Sequence, residues 1–120
     1  MLGYKKGRKS MAKQVTPEEV AKCLQNGEEV IVIDVREGSE VATGKIPGAK
    51  HIPLGHLALR KGELDKQKTY IITCQSGNRS KAACGILEAL GYKVEDMSGG
   101  MNQWGGKTEL KHMPSLSLRR

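Results

Sequence analysis

Residues 69–91 read TYIITCQSGNRSKAACGILEALG, and this stretch decides the architecture. Its first five residues, Thr69 to Thr73, are apolar or β-branched almost throughout, the pattern of a strand buried on both faces as in a parallel sheet. Its second half has helical spacing. Ala83, Ile86, Leu87 and Leu90 fall at i, i+3, i+4 and i+7, and Gly91 stands where a helix would stop. Between the two lies the junction Cys74-Gln75-Ser76-Gly77-Asn78-Arg79.

Working outward, Val30–Ile33 is a second short run of β-branched residues, ended by Asp34-Val35-Arg36. Lys50–Pro53 predicts a brief strand after the turn residues Ile46–Ala49, Leu54–Leu59 a short helical stretch, and Tyr92–Val94 a last strand. Near the start, Thr16 fits a helix N-cap, Pro17 the first helical position and Glu19 the far corner of a capping box. Val20, Cys23 and Leu24 follow at helical spacing before Gly27. Strands alternate with helices, which predicts an α/β fold with a small parallel β-sheet flanked by helices on both faces.

A chain of 120 residues is one domain, large enough to bury a core without disulfides or metal. With one Trp, three Tyr and no Phe, that core must be filled by Val, Ile, Leu, Ala and Met. The formal charge of +7 is concentrated at the ends. Residues 1–13 carry five bases and no acid, and 107–120 carry four bases against Glu109, leaving 14–106 near neutral. We therefore expect a basic, flexible leader over 1–13, a domain over 14–106 and a basic tail over 107–120. The basic ends lack the interleaved aromatics of a nucleic-acid binder, and neither nucleic acid nor membrane is expected as a partner. No apolar run approaches the length of a membrane span. Three cysteines without a C-x-x-C pair argue against a disulfide framework or a zinc site, and a reducing cytoplasm is the expected address.

The chemistry points to the junction. In open α/β sheets, sites form at the carboxyl ends of strands, where the next helix offers unpaired N–H groups and the positive end of its dipole. Gly77 lets a loop curl there and aim several donors at one point. Cys74, at the start of this loop, would have its thiolate stabilised by those donors and by the Arg79 guanidinium, the setting of a reactive cysteine.

The loop Cys74-Gln75-Ser76-Gly77-Asn78-Arg79-Ser80 resembles the active-site loop of rhodanese domains. Three flanking motifs agree with that family in order and spacing: Ile33-Asp34-Val35-Arg36-Glu37, Gly44-Lys45-Ile46-Pro47-Gly48-Ala49 and Ser98-Gly99-Gly100-Met101-Asn102-Gln103-Trp104. Together they span about residues 14–106. The resemblance implies a rhodanese-like sulfurtransferase without metal or organic cofactor. Cys74 would take the outer sulfur of a small anionic donor such as thiosulfate, releasing sulfite, and hold it as a persulfide. Backbone N–H groups from Gln75, Ser76, Gly77, Asn78 and on to Ser80 would cradle that sulfur, and Arg79 would steer the donor. The acceptor would be cyanide, a thiol or a protein. Related dual-specificity phosphatases place five residues between Cys and Arg where this loop has four, which favours sulfur over phosphate. The chain departs from the family in carrying Lys45 where a histidine is usual, and Arg79 is the one basic residue of its loop.

A second class remains open: a sulfur carrier or protein-binding module with little turnover on small substrates. Asp34 and Arg36, at a strand end, are candidates to shape the pocket from behind, with a structural ion pair or backbone hydrogen bonding as the favoured role. Trp104 is expected to pack beside the active-site face, Gly99 and Gly100 to form a tight turn, and Cys23 to pack in the core. Cys84, some 15 Å along the helix from the loop at about 1.5 Å per residue, is expected to be structural. His51, His56 and His112 have no metal-site spacing, and oligomeric state is not legible.

Overall fold

A computed structural model describes residues 12–110; residues 1–11 and 111–120, with His112 and most of the two basic ends, lie outside the described residues. The chain runs β1 (Lys13–Val15), α1 (Pro17–Gln25), β2 (Val30–Asp34), α2 (Gly38–Val41) and β3 (Lys50–His51). A 3-10 turn at Leu54–His56 leads into α3 (Leu57–Arg60), and a second follows at Lys61–Glu63. Then come β4 (Thr69–Thr73), α4 (Asn78–Ala89), β5 (Lys93–Met97) and a 3-10 turn at Gly100–Gln103. The five strands form one sheet in the order β1-β5-β4-β2-β3, and all four pairings are parallel.

The sheet separates two apolar layers. On one face Ile33, Tyr70, Ile72 and Val94 pack with Leu57 of α3 and with Ala83, Cys84 and Leu87 of α4. On the other, Val15, Val32, Ile71 and Met97 pack with Val20 of α1, Ile46 and Ala49, edged by Trp104. β4 supplies both layers from consecutive residues, which explains its continuous apolar run: Ile71 faces one layer and Ile72 the other. Each such side chain taken from water contributes about 1.5–3 kcal/mol.

The expected start of α1 is met in detail. The Thr16 hydroxyl accepts from Glu19 N–H at 3.0 Å, and the Glu19 carboxylate accepts from Thr16 N–H at 2.8 Å, closing the capping box of α1. Three features differ. The buried stripe of α4 is Ser80, Ala83, Cys84 and Leu87, while Ile86 is exposed. The helix is rotated by about one residue because Ser80 turns inward to donate to Asp96 of β5 at 2.7 Å. β1 begins at Lys13, within the stretch read as leader, and extends the sheet through β5. α2, a single turn between β2 and β3, has no apolar periodicity to announce it.

At the other end, Glu109 reaches back from the stretch read as tail. Its carboxylate accepts from Lys45 Nζ at 2.7 Å and from Gly48 N–H at 3.0 Å, while the backbones of Lys45 and Glu109 form a two-way bridge. Lys45, where the family usually has histidine, is thus nearly buried as an anchor for residues 107–110. The Lys45 ammonium holds the Glu109 carboxyl below its ordinary range.

Strand order places the site. The connection after β2 leads to one edge of the sheet and the connection after β4 to the other. The crevice between the carboxyl ends of β2 and β4 is therefore the topological switch point, where open α/β sheets bind their ligands. Asp34 closes β2 and Cys74 follows β4.

Candidate active site

Cys74 is fully buried, with its sulfur inside the turn that joins β4 to α4. The N–H groups of Gly77 and Ser80 donate to Cys74 Sγ at 3.1 and 3.3 Å. Gly77 makes this possible by adopting φ +103° at the N-cap of α4, a conformation that L side chains rarely adopt. The first turn of α4 thus directs its unpaired amides and its dipole at one sulfur atom. Ser76 and Asn78 sit on the exposed side of the loop, and Gln75 and Arg79 are half-buried at its edges.

The loop is clamped from the carboxyl side of the chain. Met101 N–H donates to the carbonyl of Cys74 at 2.7 Å, and Asn102 N–H to that of Gln75 at 2.9 Å. Gln75 Nε2 adds a bond to Asn102 Oδ1 at 2.7 Å. Gly100 is what admits so close an approach. A Cβ there would lie 2.4 Å from the Cys74 carbonyl oxygen and 2.7 Å from that of Gln75. Gly100, of the Gly99-Gly100 pair expected as a tight turn, is therefore also the seat of the Cys74–Arg79 loop.

The other wall is ionic. Asp34 and Arg36 form a buried pair with Nη2···Oδ2 at 2.8 Å and Nε···Oδ1 at 2.9 Å. The same guanidinium donates to Gly44 O at 2.9 Å, to Glu40 O at 3.3 Å and to Gln75 Oε1 at 3.0 Å. Gln75 is thereby held at both ends of its amide, by Arg36 and by Asn102. This one arginine ties β2, α2 and the Cys74–Arg79 loop together.

Arg79, expected to steer the donor, is engaged by a carboxylate. Both its Nη atoms donate to the carboxylate of Glu40 on α2, each at 2.7 Å. Those hydrogen bonds hold the Glu40 carboxyl down to about 2, helped by Glu37 N–H, which donates to Glu40 Oε1 at 2.9 Å. Arg79 in turn is raised by Glu40 first, with smaller contributions from the charges of Cys74 and Glu37. Behind the loop, Asp96 is buried and accepts from Ser80 Oγ at 2.7 Å, Gln14 Nε2 at 2.9 Å and Lys81 Nζ at 3.3 Å. Sequence reasoning missed Glu40, Asp96 and the clamping role of Gly100 to Asn102. Only the last had a signal, the Ser98–Trp104 motif.

Residues 16–107 match the rhodanese-like domain family. The chain belongs to that family. Among curated proteins it is 39% identical over 100 residues to YtwF of Bacillus subtilis, named as a candidate sulfurtransferase, covering 83% of this chain and 97% of that protein. It is 34% identical over 95 residues to a sulfurtransferase of Allochromatium vinosum, covering 78% and 89% of the two chains. The crystal structure of a rhodanese-like domain protein from Staphylococcus aureus superposes with a TM-score of 0.79 at 35% identity, covering 82% of this chain and 98% of that one.

The rhodanese-like domain leaves its other cysteines free. Cys84 is buried in the same apolar layer as Cys74, and burial pushes its thiol up to about 12. Cys23 is half-buried on α1, and its thiol is raised by burial and by Glu28. Trp104 edges the opposite layer, its Nε1 donating to Lys107 O at 2.9 Å. His51 Nε2 lies 2.7 Å from Arg36 O, and exposed His56 lies in the 3-10 turn after β3. No helix among the described residues is long and apolar enough to cross a membrane.

Proposed function

We propose that this rhodanese-like domain is a sulfurtransferase that carries sulfane sulfur as a persulfide on Cys74. The observation that carries the reading is the convergence of the Gly77 and Ser80 N–H groups on Cys74 Sγ at the N-terminus of α4. Such a pair of amides suits an anionic sulfur, and relatives named as sulfurtransferases agree with that reading.

The thiolate of Cys74 attacks the outer sulfur of the donor. A sulfur–sulfur bond forms to Sγ, the bond inside the donor breaks, and its electron pair departs with the leaving group, sulfite when thiosulfate is used. The loop amides from Gln75 to Ser80 then face the terminal sulfur and hold its negative charge. An acceptor nucleophile, a thiol or cyanide, attacks that sulfur and regenerates the thiolate. Splitting one transfer into two displacements at a stabilised anion is covalent catalysis, and it asks for no metal or organic cofactor. Buried, free thiols suit a reducing, cytoplasmic setting.

The test is intact mass after incubation with thiosulfate, for wild type and Cys74→Ser, with thiocyanate formation from cyanide followed in parallel. Wild type should gain one sulfur, about 32 Da, and turn over, while Cys74→Ser should do neither. Loading and turnover by the serine variant would remove Cys74 from the mechanism.

A further inference from the structure

The site contains cations, but each is already matched. Arg79 gives both Nη atoms to Glu40 at 2.7 Å, and Arg36 gives its guanidinium to Asp34 at 2.8 Å. Glu37 stands next to these groups at the head of α2, exposed, its charge felt by Arg79. Arg36 and Arg79 thus carry no spare positive charge, while Glu37 borders the neighbouring groove that Lys45, Lys50 and Arg60 also line. Arg79 and Glu40 are 34% and 29% exposed, so this pair lies at the mouth and not in the core. A dianion entering here finds no uncommitted guanidinium in the Arg36–Arg79 wall and meets the Glu40 carboxylate beside the one it would need.

We infer that Glu40, by occupying Arg79, sets the donor preference of the Cys74 site towards sulfane sulfur carried with a single negative charge, thiol persulfides above all, and against dianions such as thiosulfate. The inference rests on the sulfurtransferase reading given above and adds the class of donor. With a thiol persulfide, Sγ attacks the outer sulfur, the inner sulfur leaves with the electron pair as a thiolate, and Cys74 keeps the terminal sulfur as a persulfide anion. The amides of Gly77 and Ser80 meet the charge of the sulfur itself, and the mouth needs no further cation.

The test compares two donors that differ by one charge at the same chemistry: thiosulfate, a dianion, and methanethiosulfonate, a monoanion. Both present an outer sulfur bonded to a sulfonyl sulfur, which leaves as sulfite or as methanesulfinate. The readout is the ratio of Cys74 persulfide formation rates, kcat/KM for thiosulfate over that for methanethiosulfonate. Glu40→Gln keeps an oxygen for Arg79 but removes the charge, and should raise this ratio by roughly fivefold or more, the weight of one unit charge about 4 Å away even when screened as in bulk water. Glu40→Asp, which keeps the charge, should leave the ratio near that of wild type. Glu37→Gln, at an exposed position, should raise it by a smaller factor and serves if Glu40→Gln does not fold. An unchanged ratio in both glutamine variants, with methanethiosulfonate still loading Cys74, would overturn this inference and leave the sulfurtransferase reading standing. Failure of wild type to load from either donor would instead strike the sulfurtransferase reading.

Discussion

Gly100→Ala should dismantle the candidate site from outside the Cys74–Arg79 loop. Gly100 has φ +63°, and its missing Cβ would fall 2.4 Å from the carbonyl oxygen of Cys74 and 2.7 Å from that of Gln75. These obstacles are backbone atoms, so no side chain can swing aside. Left-handed backbone costs a non-glycine residue about 1–2 kcal/mol. Relieving the clash means separating the 3-10 turn from the loop, which breaks the bonds from Met101 and Asn102 N–H to those carbonyls, 2.7 and 2.9 Å long. Each is worth about 0.5–1.5 kcal/mol net. The expected loss is therefore about 2–5 kcal/mol, or a fall in Tm of roughly 10 °C or more for a domain of this size. Gly99→Ala is the control. It pays a similar backbone cost at φ +75°, but its Cβ would meet the side chain of Gln103, which can rotate away. Urea unfolding and persulfide loading should be measured for both variants. Gly100→Ala should be the less stable and should lose loading even where it remains folded. If both lose equal stability and Gly100→Ala loads sulfur normally, the clamp is not what shapes the loop.

Three further outcomes are expected. Arg36→Ala leaves the Asp34 carboxylate buried without its partner and should cost about 3–5 kcal/mol by chemical denaturation; Asp34→Ala combined with it should cost less than the sum of the two single variants. Cys84→Ser should keep most turnover while losing about 1–3 kcal/mol for a hydroxyl placed in an apolar layer, and native Cys84, its thiol pushed up to about 12, should resist iodoacetamide until the protein unfolds. The Glu40 carboxyl is lowered in the folded chain to about 2 from an ordinary 4.5, so the Arg79–Glu40 latch contributes stability in full above about pH 4.5 and loses it as the pH falls towards 2. Thermal melts across that range should show a shallower acid decline in Glu40→Gln than in wild type.

How much of this was legible in the sequence varies with how local each interaction is. The β4–loop–α4 unit could be read because its signals are consecutive: an apolar run, then Cys74 to Arg79, then a helical stripe. The capping box of α1 is likewise written within four residues. The stripe of α4 was misjudged by one position because Ser80, polar by type, is buried through a bond to Asp96 sixteen residues on. β1 is three residues long and exists through its pairing with β5, eighty-two positions away from Lys13 to Glu95. Glu40 is one of many surface-type glutamates until the fold brings α2 to the mouth of the loop. Arg79 illustrates the same limit: its place in the loop was plain, but the partner that occupies it lies thirty-nine residues upstream.

Two kinds of structure meet at Cys74, and they should respond differently to change. Holding the sulfur is the work of backbone: amides of α4, a curled Gly77 and the carbonyls pinned by Met101 and Asn102. Any group bonded to a sulfane sulfur must present that same atom to the cradle, so damage to the backbone should slow every donor alike. In the donor preference inferred above, the choice falls to a side chain on α2, where Glu40 holds Arg79 in check. The half-exposed Glu40 side chain can alter without moving the cradle, because the Gly77 and Ser80 amides reach Sγ from the main chain. A fold can in this way keep one chemistry at its backbone while surface side chains vary around it.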